Sequence, residues 1–226
     1  MLISVHIPKT AGTSFGKSLE KNFGPNLIKD YGDFPILTPE LERNRMALSN
    51  SIASSEKNFG DVKCIHGHFL AIKYLLLSSA RPVTYVTWMR NPVERVLSHY
   101  YFWKRYYDPN TSRSFHKKMV EEDWSLERFC LGEEIRNLYS KFLYGFPLEY
   151  FSFIGIVEHF QDDFDYFANE YLSCSLEPEI LNTRPNDSKG YEISDSLRSS
   201  IEAWHSKDMA LYERAVAIRS ERISRK

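Results

Sequence analysis

The segment His6–Ser14, HIPKTAGTS, carries residues whose types and spacing are suited to binding an anion. It follows the apolar run Leu2–Val5, which is typical of a strand, and precedes Phe15–Phe23, which is typical of a helix. The start of a helix carries partial positive charge and four unpaired N–H donors, so it favours a bound phosphate. The residues assigned to that phosphate are Lys9, Thr10, Gly12, Thr13 and Ser14.

This segment differs from the P-loop of nucleotide triphosphatases, G-x-x-x-x-G-K-[ST], because its lysine precedes the glycine. Gly12 has no Cβ and so permits the close approach of a phosphate, while Lys9 can reach over it. An ordinary N-cap, with Thr13 or Ser14 capping the helix and Lys9 in solvent, explains the same residues. The segment alone leaves both interpretations open.

A second segment, MRNPVERVLSHYYFW, has Arg90 at the end of a β-branched and aromatic strand and Ser98 eight residues later on the next helix. The planar guanidinium of arginine matches the oxygens of a phosphate. A serine hydroxyl on the following helix could complete the site. Two anion sites at neighbouring strand ends suggest a ligand with two separated phosphate groups.

The third candidate segment is HGHF, in which His66 and His68 are separated by Gly67. On an extended segment the two rings point the same way, and a neutral imidazole can accept a proton from a hydroxyl. A buried histidine with purely structural contacts is the alternative. A second alternative is that the two histidines are ligands of a metal ion, but such a site needs further ligands from elsewhere in the chain. The sequence does not decide which histidine would be the base.

Strands that alternate with helices position these segments. The predicted strands are 2–7, 62–65, 82–89 and 150–157, and each precedes a polar turn and a predicted helix. The pattern predicts an α/β fold with a parallel sheet covered on both faces, whose ligands bind at the carboxyl ends of the strands. We expect a single domain over residues 1–226, with a loop-rich insertion at 24–60 and a C-terminal helix at 195–219.

Composition narrows the possible functions. The formal net charge of −1 gives no reason to expect a nucleic-acid partner. The three widely spaced cysteines form neither a disulfide framework nor a zinc site. No signal peptide or apolar run long enough to span a bilayer is present, so we expect a cytoplasmic location. Residues 81–118 carry eight Lys and Arg against two acids, which fits either a solvated helix face or a basic wall for an anion.

The chain resembles the PAPS-dependent sulfotransferases, whose donor is 3′-phosphoadenosine 5′-phosphosulfate. IPKTAGTS is similar to their 5′-phosphosulfate-binding loop, and RNPVERVLSHYYF to their 3′-phosphate-binding strand and helix. Three segments resemble the carbohydrate branch that includes heparan sulfate and uronyl 2-O-sulfotransferases: HGHF, NLYSKFLYG at 137–145 and FIGIVEHFQDDF at 153–164. The resemblance spans residues 7 to about 212. It implies a P-loop-like three-layer fold with a central parallel sheet flanked by helices.

The resemblance also implies roles for individual residues. Lys9 matches the lysine at the bridging oxygen between phosphate and sulfate, and the residues after it match the 5′-phosphate site. Arg90 and Ser98 match the 3′-phosphate ligands. His66 and His68 match a paired-histidine motif that supplies the base. The reaction rate should fall at acid pH as this base is protonated, near the ordinary histidine pKa of roughly 6.5. Arg184 and Lys189 match a late loop that closes over the 3′-phosphate.

The implied reaction transfers a sulfuryl group from PAPS to a hydroxyl and leaves PAP, the 3′,5′-bisphosphate, without a metal. The acceptor stays open among a glycan, a small sugar, a lipid and another natural product, because the membrane anchor of animal enzymes of this branch is missing from this sequence. Two alternatives are an atypical small-molecule kinase, which would need Mg²⁺ and ATP, and a catalytically silent glycan- or nucleotide-binding module. The sequence does not indicate the oligomeric state.

Overall fold

A five-stranded parallel sheet forms the centre of the molecule. The computed structural model describes residues 1–33, 35–172 and 191–224. The strands are β1 Leu2–Val5, β2 Leu27–Asp30, β3 Cys64–Gly67, β4 Thr84–Met89 and β5 Phe153–Ile156, in the order β2-β3-β1-β4-β5. Because β1 lies between β3 and β4, the turns after these three strands meet at one edge of the sheet.

Helices connect the strands and follow the sheet. They are α1 Gly12–Phe23, α2 Glu40–Glu56, α3 Pro92–Arg105, α4 Ser114–Glu121, α5 Leu126–Cys130, α6 Leu138–Phe142, α7 Phe160–Phe167, α8 Asp195–Trp204 and α9 Ser206–Ser224. A 3₁₀ helix at Ala71–Ser79 links β3 to β4. Along the described residues, no helix is both long enough and apolar enough to cross a bilayer.

Alternating strand residues build a hydrophobic core on each face of the sheet, as expected for a pleated strand. One face carries Ile3, Val5, Ile65, Tyr85, Met89, Ile154 and Ile156, and the other carries Leu2, Cys64, Val86, Trp88 and Phe153. The first face packs against α6 and α9, and the second against α1 and α7. The prediction of an α/β, three-layer fold with a central parallel sheet is therefore confirmed.

Residues 24–60, which the sequence predicts to be loop-rich, contain the edge strand β2 and the four-turn helix α2. The buried face of α2 consists of small and polar residues, among them Ala47, Ser51 and Ser54. The Ser51 hydroxyl accepts a hydrogen bond from the backbone N–H of Leu76, at 3.1 Å. A helix that buries serine and alanine lacks the apolar periodicity from which helices are predicted.

The C-terminal segment 195–219, predicted as one helix, is two helices that meet at His205. This fully buried imidazole bonds the Cys130 carbonyl through Nε2, at 2.9 Å, and accepts the Asn137 N–H at Nδ1, at 3.2 Å. Because His205 anchors the turn to two other segments, α9 starts in a new direction and packs against the sheet. The apolar spacing continues across the turn, so periodicity alone does not reveal it.

Candidate active site

A cleft of about 1080 Å³ opens at the carboxyl edge of the sheet. Most of the residues singled out from the sequence line it together: Lys9, Gly12, Thr13, Ser14, His68, Arg90 and Ser98. They come from the turns after β1, β3 and β4, which the order of the strands brings side by side. A ligand at this edge can therefore contact all three turns at once.

The turn after β1 has an unusual backbone. Lys9 and Ala11 both have left-handed backbone conformations, with φ of 71° and 59°. The Thr10 hydroxyl donates to the Ile7 carbonyl, at 2.8 Å, and its side chain is buried. Thr10 thus fixes the turn from inside and does not line the cleft. The residue before α1 is Ala11, whose side chain cannot cap the helix, which begins at Gly12. The N–H groups of its first turn therefore receive no cap from that residue.

Two glycines of α1 lie directly against histidine rings. A Cβ on Gly12 would come within 1.9 Å of the His6 ring, and a Cβ on Gly16 within 2.7 Å of Nε2 of His66. Gly12 is therefore required by a protein side chain, beyond any room it leaves for a phosphate. Any larger residue at either position would displace an imidazole from the end of the sheet.

His66 and His68 occupy different environments. His66, on β3, is 2% exposed, and its Nδ1 is 2.8 Å from the hydroxyl of Ser4 on the neighbouring strand β1. It does not line the cleft. His68 follows the end of β3, lines the cleft and donates from Nδ1 to the backbone carbonyl of His6. Since a carbonyl can only accept, the neutral ring of His68 carries its free lone pair on Nε2.

The sequence-based reasoning missed His6 and Tyr31 as parts of this site. The His6 ring lies 4.2 Å from the His68 ring and 5.1 Å from the His66 ring, between centroids, and its Nδ1 is 3.1 Å from the Tyr31 hydroxyl. Both His6 and Tyr31 line the cleft. Tyr31 follows β2 in the segment predicted as loop, so only the pairing of β2 with β3 reveals its proximity.

Burial keeps all three imidazoles neutral. It lowers the pKa of His68 to about 4, and together with the neighbouring His68 it lowers that of His66 to about 3. The pKa of His6 is also well below its usual value, through burial first and then through its two histidine neighbours. A neutral His68 is therefore available as a proton acceptor throughout the ordinary pH range.

Lys9 lies within a cluster of cations. Its ammonium is 3.6 Å from the centroid of the Phe102 ring, which is a cation–π contact. Burial, together with the nearby charges of Arg90 and Arg105, lowers the pKa of Lys9 to about 8. These cations repel one another in a partly buried cleft, and an anion bound among them would relieve that repulsion.

The turn after β4 presents Arg90 and Ser98 from a firmly held helix. The Asn91 side chain caps α3 by accepting from the N–H groups of Val93 and Glu94, at 3.0 and 3.4 Å. The backbone of Arg90 is bonded on both sides to the Tyr139 hydroxyl, which accepts its N–H at 2.9 Å and donates to its carbonyl at 2.5 Å. Anion binding at this turn would therefore fall to the side chains of Arg90 and Ser98.

Aromatic residues of α3 and its surroundings form the outer part of the cleft. Tyr101 and Tyr106 are 38% and 50% exposed, and Trp103 lines the cleft while packing on Phe115. Tyr100, in contrast, is partly buried and packs against the core beneath α3. The exposed rings offer flat apolar surface of the kind that stacks on a sugar or another ring.

The charge on the cleft wall is mostly positive. Arg105 and Arg113 line it together with Arg90, so three cations of the basic segment 81–118 face the cleft. Of the acids there, Glu94 is paired with Arg198 at 3.2 Å. Glu158 accepts hydrogen bonds from the Asn91 N–H and the Tyr212 hydroxyl. The net field of the wall favours an anionic ligand.

The remaining predicted residues fall outside this cleft or outside the described chain. His66 and Thr10 lie beneath it, as described above. Arg184 and Lys189 lie outside the described residues. Within the ranges that the structure describes, no group of three or more His, Cys, Asp or Glu side chains is arranged to hold a metal ion.

The sequence has a relative among characterised sulfotransferases. It is 32% identical over 110 residues to the heparan sulfate 2-O-sulfotransferase hst-2 of Caenorhabditis elegans. The match covers 45% of this chain and 32% of the relative, so the chain aligns with about a third of that protein's length. No protein-family model matches the chain. The match supports the resemblance to the sulfotransferase superfamily and to its carbohydrate branch.

Two solved structures have similar folds. A mouse sulfotransferase, SULT7A1, complexed with PAP, aligns with a TM-score of 0.43 and 11% identity over 89% of this chain and 62% of its own. A sulfotransferase from Alicyclobacillus acidocaldarius aligns with a TM-score of 0.46 and 17% identity over 92% of both chains. Both TM-scores are below 0.5, too low to support an inference about activity.

Proposed function

We propose that this chain is a PAPS-dependent O-sulfotransferase, which moves a sulfuryl group from PAPS to an acceptor hydroxyl. One observation carries the proposal. Lys9, an uncapped helix start, a neutral histidine and the pair Arg90–Ser98 share one cleft, although they come from three separate segments of the chain. The sequence match to a heparan sulfate 2-O-sulfotransferase supports the same reaction class.

The donor would span the two turns. The first turn of α1, with its N–H groups and the residues Gly12, Thr13 and Ser14, would hold the 5′-phosphate. Arg90 and Ser98 would hold the 3′-phosphate through a charge-assisted bond and a hydroxyl bond. The two turns follow the adjacent strands β1 and β4, which suits a ligand with two phosphates on one nucleoside.

Lys9 would act on the leaving group. In an in-line displacement the acceptor oxygen bonds to sulfur as the bond from sulfur to the bridging phosphate oxygen breaks. Negative charge then grows on that phosphate oxygen. A lysine beside it, together with helix-terminal N–H groups, stabilises the charge most in the transition state. The contact with Phe102 keeps the ammonium at the cleft until the donor binds.

His68 would be the base. The acceptor hydroxyl is a weak nucleophile, so its proton must be taken as the oxygen–sulfur bond forms. Nδ1 of His68 is already bonded to the His6 carbonyl, which leaves Nε2 to receive that proton. His66, with its Nδ1 bonded to Ser4 and its ring against α1, would support the sheet end rather than contact the acceptor.

The acceptor would enter over the aromatic part of the cleft. Tyr101, Trp103 and Tyr106 offer stacking surface, and Arg105 and Arg113 offer positive charge. These features suit a hydroxyl-bearing acceptor with flat or ring-shaped parts, such as a carbohydrate.

Nucleotide binding tests the proposal. We expect PAP to raise the melting temperature far more than ADP or ATP, equally in EDTA and in Mg²⁺. A ligand at 100 times its Kd that binds only the folded state adds about 2.7 kcal/mol to stability. An equal shift with ADP, or a shift that needs Mg²⁺ and ATP, would contradict the donor assignment and favour a kinase.

A further inference from the structure

Tyr139 is the point at which the cleft is joined to the C-terminal part of the molecule. Its side chain is fully buried, yet its hydroxyl reaches Arg90 at the end of β4. It accepts the Arg90 N–H at 2.9 Å and donates to the Arg90 carbonyl at 2.5 Å. One hydroxyl thereby satisfies both backbone polar groups of the residue whose guanidinium lines the cleft.

A carboxylate from another helix fixes Tyr139 in turn. Asp208, on α9, accepts the N–H groups of Tyr139 and Ser140, at 3.0 and 3.1 Å. No side chain of α6 itself caps that helix, because Asn137 before it has a left-handed backbone and makes no such bond. Asp208 therefore acts as the cap of α6 from a distance of 69 residues in the chain, and it is fully buried.

A buried cation balances this carboxylate. Arg95, on α3, is fully buried, and its guanidinium carbon lies 5.7 Å from the centroid of the Tyr139 ring. Its charge lowers the pKa of Asp208, opposing the larger effect of burial. Arg95 lies between Arg90 and Ser98 on the same strand-to-helix segment. Arg90 and Arg95 thus both bring this segment into contact with Tyr139 of α6.

We propose that Tyr139 is a positioning residue for recognition of the 3′-phosphate, acting through the backbone of Arg90. This proposal rests on the proposed function, since it assumes that Arg90 binds that phosphate. A guanidinium that starts from a fixed Cα loses less conformational freedom when it binds than one on a mobile turn. The turn after β1 has no contact with Tyr139 of this kind, so recognition of the 5′-phosphate should not depend on it.

The test compares the binding of two nucleotides by two tyrosine variants. Tyr139→Phe removes only the hydroxyl. Tyr85→Phe is the matched control, because that buried hydroxyl, at the opposite end of β4, donates to the Tyr74 carbonyl at 2.6 Å. Titration with PAP and with adenosine 5′-phosphate gives the part of the affinity that the 3′-phosphate supplies. We expect Tyr139→Phe to weaken PAP binding by about 3- to 10-fold, the value of one ordinary hydrogen bond. Binding of adenosine 5′-phosphate should change less than twofold.

Each outcome of the titration decides the proposal. An equal loss for both nucleotides, or no loss for PAP, would overturn it, as would the same selective loss in Tyr85→Phe. If Tyr139→Phe does not fold, Asp208→Asn must give the selective loss, and its absence there would overturn the proposal too. A wild-type protein that binds adenosine 5′-phosphate as tightly as PAP would instead refute the donor assignment itself.

Discussion

The turns after β1 and β4 present different groups to the cleft. After β1, the chain passes through the left-handed residues Lys9 and Ala11 into α1, which the side chain of Ala11 cannot cap. After β4, Asn91 caps α3, and the Tyr139 hydroxyl satisfies the backbone of Arg90. The turn after β1 presents the N–H end of a helix to the cleft, whereas the turn after β4 has bonded its N–H groups and offers side chains.

This difference suggests a division of labour. Lys9 and the start of α1 follow β1, the strand that pairs with β3 and so brings them to the same edge of the sheet as His68, where the sulfuryl group would be transferred. Arg90 and Ser98 lie on the other side of β1, where no reacting atom is expected. Changes at the first turn should therefore affect turnover, and changes at the second should affect which nucleotide binds.

The largest effect is expected at the proposed base. His68→Ala should lower turnover by about 10²- to 10⁴-fold, because the variant lacks the base that takes the proton from the hydroxyl of the acceptor. PAP binding, measured by titration, should stay within a few-fold of wild type. His66→Ala should lower turnover less and should lower the melting temperature, since it removes a buried ring and its bond to Ser4.

Two results would break this assignment. Near-normal turnover in His68→Ala would mean that the base is another group. A loss in His66→Ala as large as in His68→Ala, at an unchanged melting temperature, would make His66 the base.

Lys9→Ala should give the next largest effect. We expect turnover to fall about 10²- to 10³-fold, the size found when one donor to a developing charge is removed. Affinity for PAP should fall much less, because the leaving oxygen carries its extra charge mainly in the transition state. Lys21→Ala, in the last turn of α1, is the control. Comparable losses of binding and turnover would mean that Lys9 is only a phosphate ligand.

A substitution in the turn after β4 should lower the affinity for the donor more than it lowers turnover. Arg90→Ala should weaken PAP binding by about 10- to 100-fold, from a charge-assisted bond of about 1.5–3 kcal/mol. Binding of adenosine 5′-phosphate should hardly change, and turnover at saturating PAPS should be affected less than in Lys9→Ala. If both nucleotides lose affinity equally, Arg90 does not distinguish the 3′-phosphate.

The pH profile of kcat/KM for the donor gives a smaller but sharper test. His68 must be neutral and has a pKa lowered to about 4, so activity should fall as the pH drops through about 4. Lys9 must be charged and has a pKa lowered to about 8, so activity should also fall as the pH rises through about 8. An acid limb near the ordinary histidine pKa of roughly 6.5 would contradict the buried, neutral His68.

A stability control belongs with that profile. The pKa of each buried histidine is lowered in the folded protein, so the unfolded chain binds more protons below about pH 6.5. The free energy of unfolding should therefore decrease on acidification over that range. Melting temperatures taken at each pH separate this loss from the titration of the catalytic group.

The sequence predicted the parts of the site that each lie within one short segment. Lys9, Gly12, Arg90 and Ser98 could be identified because a strand, a turn and a helix follow one another there. Alternation also predicted that His66 and His68 share a face, but β3 ends at Gly67. Only the packing of α1 over the sheet buries one ring and leaves the other at the cleft.

Contacts between distant segments could not be predicted from the sequence, and the reason is physical. Tyr31 reaches the histidines only through the pairing of β2 with β3. Asp208 caps α6 across 69 residues, and nothing in the spacing of its neighbours indicates a cap. The buried face of α2 is built from serine and alanine, which leaves no apolar period to detect.

A crystal structure of the wild-type protein with PAP tests the central claim most directly. The 5′-phosphate should lie within hydrogen-bond distance of the N–H groups at the start of α1. The 3′-phosphate should contact the Arg90 guanidinium and the Ser98 hydroxyl, with the Tyr139 hydroxyl still bonded to the Arg90 backbone. A PAP molecule with its phosphates reversed, or bound away from both turns, would contradict the account.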